Sequence, residues 1–126
     1  MKDVPETSSI LVVEDEVAVR SLSVFELEDA GYEVLEAASA ADALAILESG
    51  AHVAVLFTDV NMPGELDGLA LAQCVHDRWP DVRLIVTSGG GRVGPGDVPN
   101  DGRFISKPYS LAQIKALVRE MTGPPG

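Results

Sequence analysis

The chain holds a single cysteine, only 9 basic residues against 20 acidic ones, and no long apolar run. Each shortage excludes something. A lone Cys74 cannot close an internal disulfide, which fits a reducing compartment and leaves the thiol a packing role. The net charge of −11 repels phosphate backbones and anionic lipid, so no nucleic-acid or membrane partner is expected. No apolar stretch approaches the ~20 residues of a spanning helix. The polar start MKDVPETSS lacks the charged-then-apolar order of a signal peptide, and a cytoplasmic protein is expected. What remains, 46% hydrophobic and 23% charged in 126 residues without repeats, is the composition of one globular domain. A chain of this length buries roughly two thirds of its unfolded surface. An ordered domain is expected over 9–121, with flexible ends at 1–8 and 122–126.

Four short runs rich in β-branched residues, at 10–13, 53–57, 83–86 and 104–106, alternate with longer stretches of helical period. That alternation predicts βαβ units around a parallel sheet. A fifth strand at 33–37 follows the helix-stopping Gly31. Ser39 with Asp42, and Ser110 with Gln113, have the spacing of capping boxes, and Gly50 would close the second helix. In the last helix Leu111, Ile114, Leu117, Val118 and Met121 make one apolar stripe, which is core. The first helix, about 17–30, and the third, about 68–78, are apolar around more of their circumference, so Val24 and Phe25 are expected partly exposed. The fourth crossover, 89–102, holds six glycines and two prolines. These cost about 1 and 3 kcal/mol each inside a helix, so a loop with at most one helical turn is predicted there.

In an open parallel sheet, side chains that act together gather at the carboxyl ends of the strands. Those ends carry Glu14-Asp15-Glu16 on the first strand, Asp59 on the third, Thr87-Ser88 on the fourth and Lys107-Pro108 on the fifth; the second ends in alanines. Taken singly, each of these is an ordinary surface residue. Were the first and third strands neighbours, Glu14, Asp15 and Asp59 would share a crevice, and three close carboxylates do not all stay ionised without compensation. A divalent cation is the simplest compensation, and an all-oxygen donor set favours Mg²⁺ or Mn²⁺ over zinc. With Lys107 it would balance the three carboxylates. A phosphoryl group would then find the cation, Lys107 and the Thr87 hydroxyl, with Asp59 as nucleophile. His52 and His76 have no such partners and read as surface or satisfied structural residues.

At these positions LVVEDE (11–16), LFTDVNMPG (56–64), VTSG (86–89) and FISKPYS (104–110) resemble the motifs of the response-regulator receiver family of two-component signalling. The resemblance runs from about residue 9 to 121. It implies a flavodoxin-like (CheY-like) α/β fold with a five-stranded parallel sheet of order 2-1-3-4-5, the fourth helix here being short or replaced by the glycine-rich loop. It implies that Asp59 accepts the phosphoryl group, that Asp15, Asp59 and the Asn61 backbone carbonyl ligate Mg²⁺, and that Glu14 acts mainly through water. Thr87 and Ser88 lie in the hydroxyl motif at the phosphoryl site. Thr87 would shift toward the phosphoryl group while Phe104 rotates inward, and the Lys107-Pro108 bond would be cis, aiming the lysine at the crevice. The implied partners are a sensor histidine kinase or phosphotransfer protein as donor and a downstream protein as target, for a monomer or weak homodimer. The implied role is a switch that assists its own phosphorylation and dephosphorylation, and not an enzyme acting on other substrates.

Other readings fit less well. A haloacid-dehalogenase-like phosphatase needs a second acid two residues past the nucleophile, where Asn61 stands. A flavodoxin-like FMN module needs a first loop that cradles phosphate, and Glu-Asp-Glu repels it. A degenerate receiver acting without phosphorylation would not need the full set of side chains present here. Beginning at Met1 and ending at Gly126, the chain reads as a single-domain regulator, with a receiver cut from a hybrid histidine kinase as the alternative.

Overall fold

Runs of branched aliphatic residues too short for helices form the strands, and the intervals of helical period cover them. The computed structural model describes residues 9–61, 67–89, 95–99 and 102–122. Its strands are β1 (Ser9–Val13), β2 (Glu33–Ala37), β3 (Val53–Asp59), β4 (Arg83–Ser88) and β5 (Arg103–Ser106). Between and after them come α1 (Val17–Asp29), α2 (Ala40–Glu48), α3 (Gly68–Arg78) and α4 (Leu111–Thr122). All strands pair in parallel in the order β2-β1-β3-β4-β5, the order that the resemblance implied. Among the described residues of 89–102, the one helical feature is a 3₁₀ turn at Pro95–Asp97. Residues 90–94 and 100–101 of that loop, the expected flexible end 1–8, and all but Thr122 of the expected flexible end 122–126 lie outside the described residues.

The pleat of the strands divides the core in two. Leu11 and Val13 of β1 face one layer with Leu56 and Leu84, closed by Leu47 of α2 and Leu71 and Val75 of α3. Ile10 and Val12 face the other with Phe57 and Ile85, closed by Leu27 of α1 and Ile114 and Val118 of α4. Each such side chain contributes roughly 1.5–3 kcal/mol by leaving water. β1 is buried along its whole length, so its pairing with β3 is held by side chains on both faces.

The element ends obey local chemistry. Gly31 and Gly50 follow α1 and α2 with φ of 102° and 93°, a left-handed backbone that a Cβ would strain. Ser39 Oγ accepts from the Asp42 N–H at 3.1 Å. The Ser110–Gln113 box closes in both directions, at 3.0 and 3.1 Å. α4 continues to Thr122, one residue into the expected tail, with the Thr122 hydroxyl donating to the Val118 carbonyl at 2.8 Å.

Two expectations need correction. Four strands are longer than the apolar runs that announced them, because pairing continues through polar residues: Asp59 pairs with Thr87 and Ser88 with Ser106. Val24 is buried, while its neighbour Phe25 is 61% exposed. Adjacent residues lie about 100° apart around a helix, and Val24 shares the sheet-facing side with Leu27.

Candidate functional site

The carboxyl ends of β1 and β3 lie side by side, Val13 opposite Thr58, and this register brings the acids together. Carboxylate oxygens of Glu14, Asp15 and Asp59 all lie within 4.8 Å of one another. Glu14 and Asp59 are buried and Asp15 is exposed. From the far side Lys107 reaches in, its Nζ 3.0 Å from Asp59 Oδ2. The Asn61 N–H donates to Asp59 Oδ1 at 3.3 Å, so both oxygens of Asp59 are oriented. The Lys107-Pro108 bond is cis, as the resemblance implied.

The backbone beneath is equally constrained. Val60 N–H donates to the Thr87 carbonyl at 2.9 Å, and Lys107 N–H to the Ser88 carbonyl at 3.0 Å. Thr87 and Ser88 are thus buried beside the crevice in the frame that carries the phosphoacceptor candidate and the lysine. Phe104 pairs with Val86, one residue before Thr87, and packs half-buried on the α2/α3 layer. Of Asn61, the contact with Asp59 is through the N–H; its carbonyl as a ligand rests on the resemblance.

Electrostatics follow from this crowding. Burial pushes the Glu14 carboxyl above its ordinary range, the Glu16 N–H at 3.0 Å pulls the other way, and the Asp59 charge adds to the rise. Burial works against the Lys107 ammonium, but its hydrogen bond and attraction to Asp59 prevail and hold its pKa above the usual lysine value. The acids fit a hard cation: the donor set is all oxygen, and oxygens on one Mg²⁺ at ~2.1 Å stand at most about 4.2 Å apart. Three ligands of an octahedron include at least two cis pairs about 3 Å apart, so the carboxylates would draw inward around the ion from a spacing within 4.8 Å.

Several residues of this region were not singled out from the sequence. Tyr109 meets Phe57 edge-on with ring centroids 6.1 Å apart and lies beside Ser23 of α1. A void of about 10 Å³ lies between Glu14, Asp59, Thr87, Ser23 and Tyr109. Gly68, first residue of α3, donates its N–H to the Val60 carbonyl at 2.9 Å. A Cβ there would overlap the Asp59 carbonyl oxygen and come within 2.6 Å of its carbon. Arg20 and Glu36 form an ion pair at 3.1 Å at the rim. Only Gly68 carried a signal, a glycine opening an apolar helical stretch. The rest depend on which strands are neighbours. His52 is exposed as expected, but His76 is not satisfied: its buried Nδ1 has no hydrogen-bond partner among the described residues.

Beside the crevice an open groove of about 660 Å³ runs between α1 and the start of α4, lined among others by Val19, Leu22, Lys107, Pro108 and Leu111. Next to it Val17, Leu22 and Phe25 are 54–64% exposed. No helix among the described residues is long and apolar enough to cross a membrane.

Comparison with known proteins agrees with this geometry. The family profile described as "Response regulator receiver domain" matches residues 10–119. The chain is 39% identical over 123 residues to sensor kinase CckA of Brucella abortus, covering 94% of this chain but 13% of that protein. To response regulator receiver protein CpdR of the same organism it is 32% identical, covering 89% and 94%. Among solved structures, response regulator protein TrrA of Thermotoga maritima in complex with Mg²⁺ and BeF superposes with a TM-score of 0.77 at 25% identity, covering 90% of this chain and 98% of that one.

Proposed function

The chain belongs to the response regulator receiver domain family, and from that membership we propose that it is a Mg²⁺-dependent phosphorylation switch with Asp59 as acceptor. One observation carries the reading: a buried carboxylate held at 3.0 Å by a lysine and flanked within 4.8 Å by two further acids. Glu14, Asp15, Asp59 and the Asn61 carbonyl would hold the cation, which supplies charge neutralisation for the incoming phosphoryl oxygens. The Mg²⁺ carried by the structural neighbour supports that assignment.

The chain's own residues do the following. Asp59 Oδ1 or Oδ2 attacks the phosphorus of a phosphohistidine; the P–N bond breaks, a P–O bond forms, and the imidazole leaves. Lys107 exchanges its contact with Asp59 for the phosphoryl oxygens, and the Thr87 hydroxyl turns toward them. Because Phe104 pairs beside Val86, a shift of the end of β4 is felt at Phe104, and through it at the surface of β5. Hydrolysis of the acyl phosphate restores Asp59. The domain thus assists its own phosphorylation and dephosphorylation and is no enzyme toward other substrates. The donor, a sensor histidine kinase or phosphotransfer protein, approaches across the exposed apolar side of α1. The chain's excess of acid suits a donor with a basic rim.

The test is intact mass after incubation with a small phosphodonor, with and without Mg²⁺, beside Asp59→Asn. One added phosphoryl group that needs both the cation and Asp59 is expected. An adduct that survives in the variant would remove Asp59 from the role.

A further inference from the structure

The peptide that carries the acidic pair is held from β2, the strand whose end has no chemistry of its own. The Glu14 N–H donates to the Ala37 carbonyl at 3.1 Å. The Glu14 carbonyl accepts from Arg20 Nη1 at 2.8 Å, and the Arg20 Nε donates to Glu36 Oε1 at 3.1 Å. One guanidinium therefore ties the end of β1, the second turn of α1 and the end of β2. Long helical side chains lean toward the helix N-terminus, which carries Arg20 back over the turn formed by residues 14–16. Its side chain is 16% exposed while that of Glu36 is 48% exposed, so Glu36 is the outer anchor and Arg20 the inner clamp.

We propose that Arg20, anchored by Glu36, is the positioning residue of the cation site: by fixing the Glu14 carbonyl it sets the direction in which Asp15 leaves the sheet. The spacing of the Glu14, Asp15 and Asp59 carboxylates follows from that direction. This rests on the reading of the acidic crevice as a Mg²⁺ site. Arg20 touches no reacting atom and acts through the peptide between Glu14 and Asp15. Its charge is offset by Glu36, so the effect is one of geometry. A rigid fork that gives two N–H groups to two acceptors in different elements is a task for arginine, since lysine offers a single point charge.

The experiment is calorimetric titration of the full chain with Mg²⁺ for the wild type, Arg20→Gln, Arg20→Lys and Glu36→Ala, with melting temperatures recorded in EDTA. Groups that orient metal ligands without touching the metal are worth roughly tenfold or more in affinity. A loss of roughly tenfold is expected for both Arg20 variants, with a smaller loss for Glu36→Ala. Phosphorylation by a small donor should return close to the wild-type maximum at saturating Mg²⁺, because the clamp orders cation ligands and not the acceptor. Full affinity in Arg20→Lys would mean that charge alone matters and would overturn the proposal, as would unchanged affinity in Arg20→Gln. If Arg20→Gln fails to fold, Glu36→Ala decides, and wild-type affinity there sinks the clamp. Absence of Mg²⁺ binding by the wild type would instead bring down the cation site itself.

Discussion

Around Asp59 each neighbour has a separable task. Lys107 occupies one oxygen and the Asn61 N–H the other, so the carboxylate of the proposed acceptor is held at both oxygens. Tyr109 closes the floor between α1 and β5. Burial holds its phenol above the ordinary range, Lys107 pulls it down, and the carboxylates of Glu14 and Asp59 push it further up. The folded state therefore favours the neutral phenol. Its contribution to stability is fully present below the unfolded value near 10 and is lost as pH rises through the raised folded value. Absorbance titration should show a tyrosine ionising late, and Tyr109→Phe should abolish that late step and flatten the alkaline fall in stability. A late step that persists in the variant would mean that another tyrosine is its source. The residues that act at the crevice were legible because strand ends collect chemistry in a parallel sheet. Tyr109 and Ser23 were not, since a tyrosine three residues into a loop and a serine within a helix announce no mutual contact.

At the scale of elements, α3 is seated by contact between backbones. Gly68 lies against the carbonyl of Asp59, and Asp67 caps the helix by accepting from the Ala70 N–H at 2.8 Å. Gly68→Ala should cost about 3 kcal/mol, because the new carbon meets main chain that cannot rotate away. Thermal denaturation would measure this, and a loss under about 0.5 kcal/mol would mean that the joint is loose. The order of the elements was legible from alternation of short apolar runs with helical period. Their ends were less so, since Asp59, Thr87 and Ser88 are strand residues by pairing although polar by type. The link from Arg20 to Glu36 was invisible for a related reason. A separation of 16 residues becomes a contact only once β1 and β2 are known to adjoin.

For the molecule as a whole, a net charge of −11 opposes compaction, and the acidic crevice concentrates that cost in one place. Cation binding should therefore stabilise the fold by about 2.7 kcal/mol at a hundred times the dissociation constant. The melting temperature should rise with Mg²⁺ well beyond the rise in NaCl of matched ionic strength. Equal rises would reduce the effect to general screening. The composition made the charge legible, but its focus at the ends of β1 and β3 needed the strand order.

The pairing of Lys107 with Asp59 spans 48 residues of sequence. A ribosome adding about 5–20 residues each second delivers the aspartate roughly two to ten seconds before the lysine that answers it. During that interval the growing chain carries its acids without their internal counter-ion, and only the last strand to emerge ends the imbalance. The order of synthesis thus makes Asp59 the early part of the pair and the lysine that restrains it the late one.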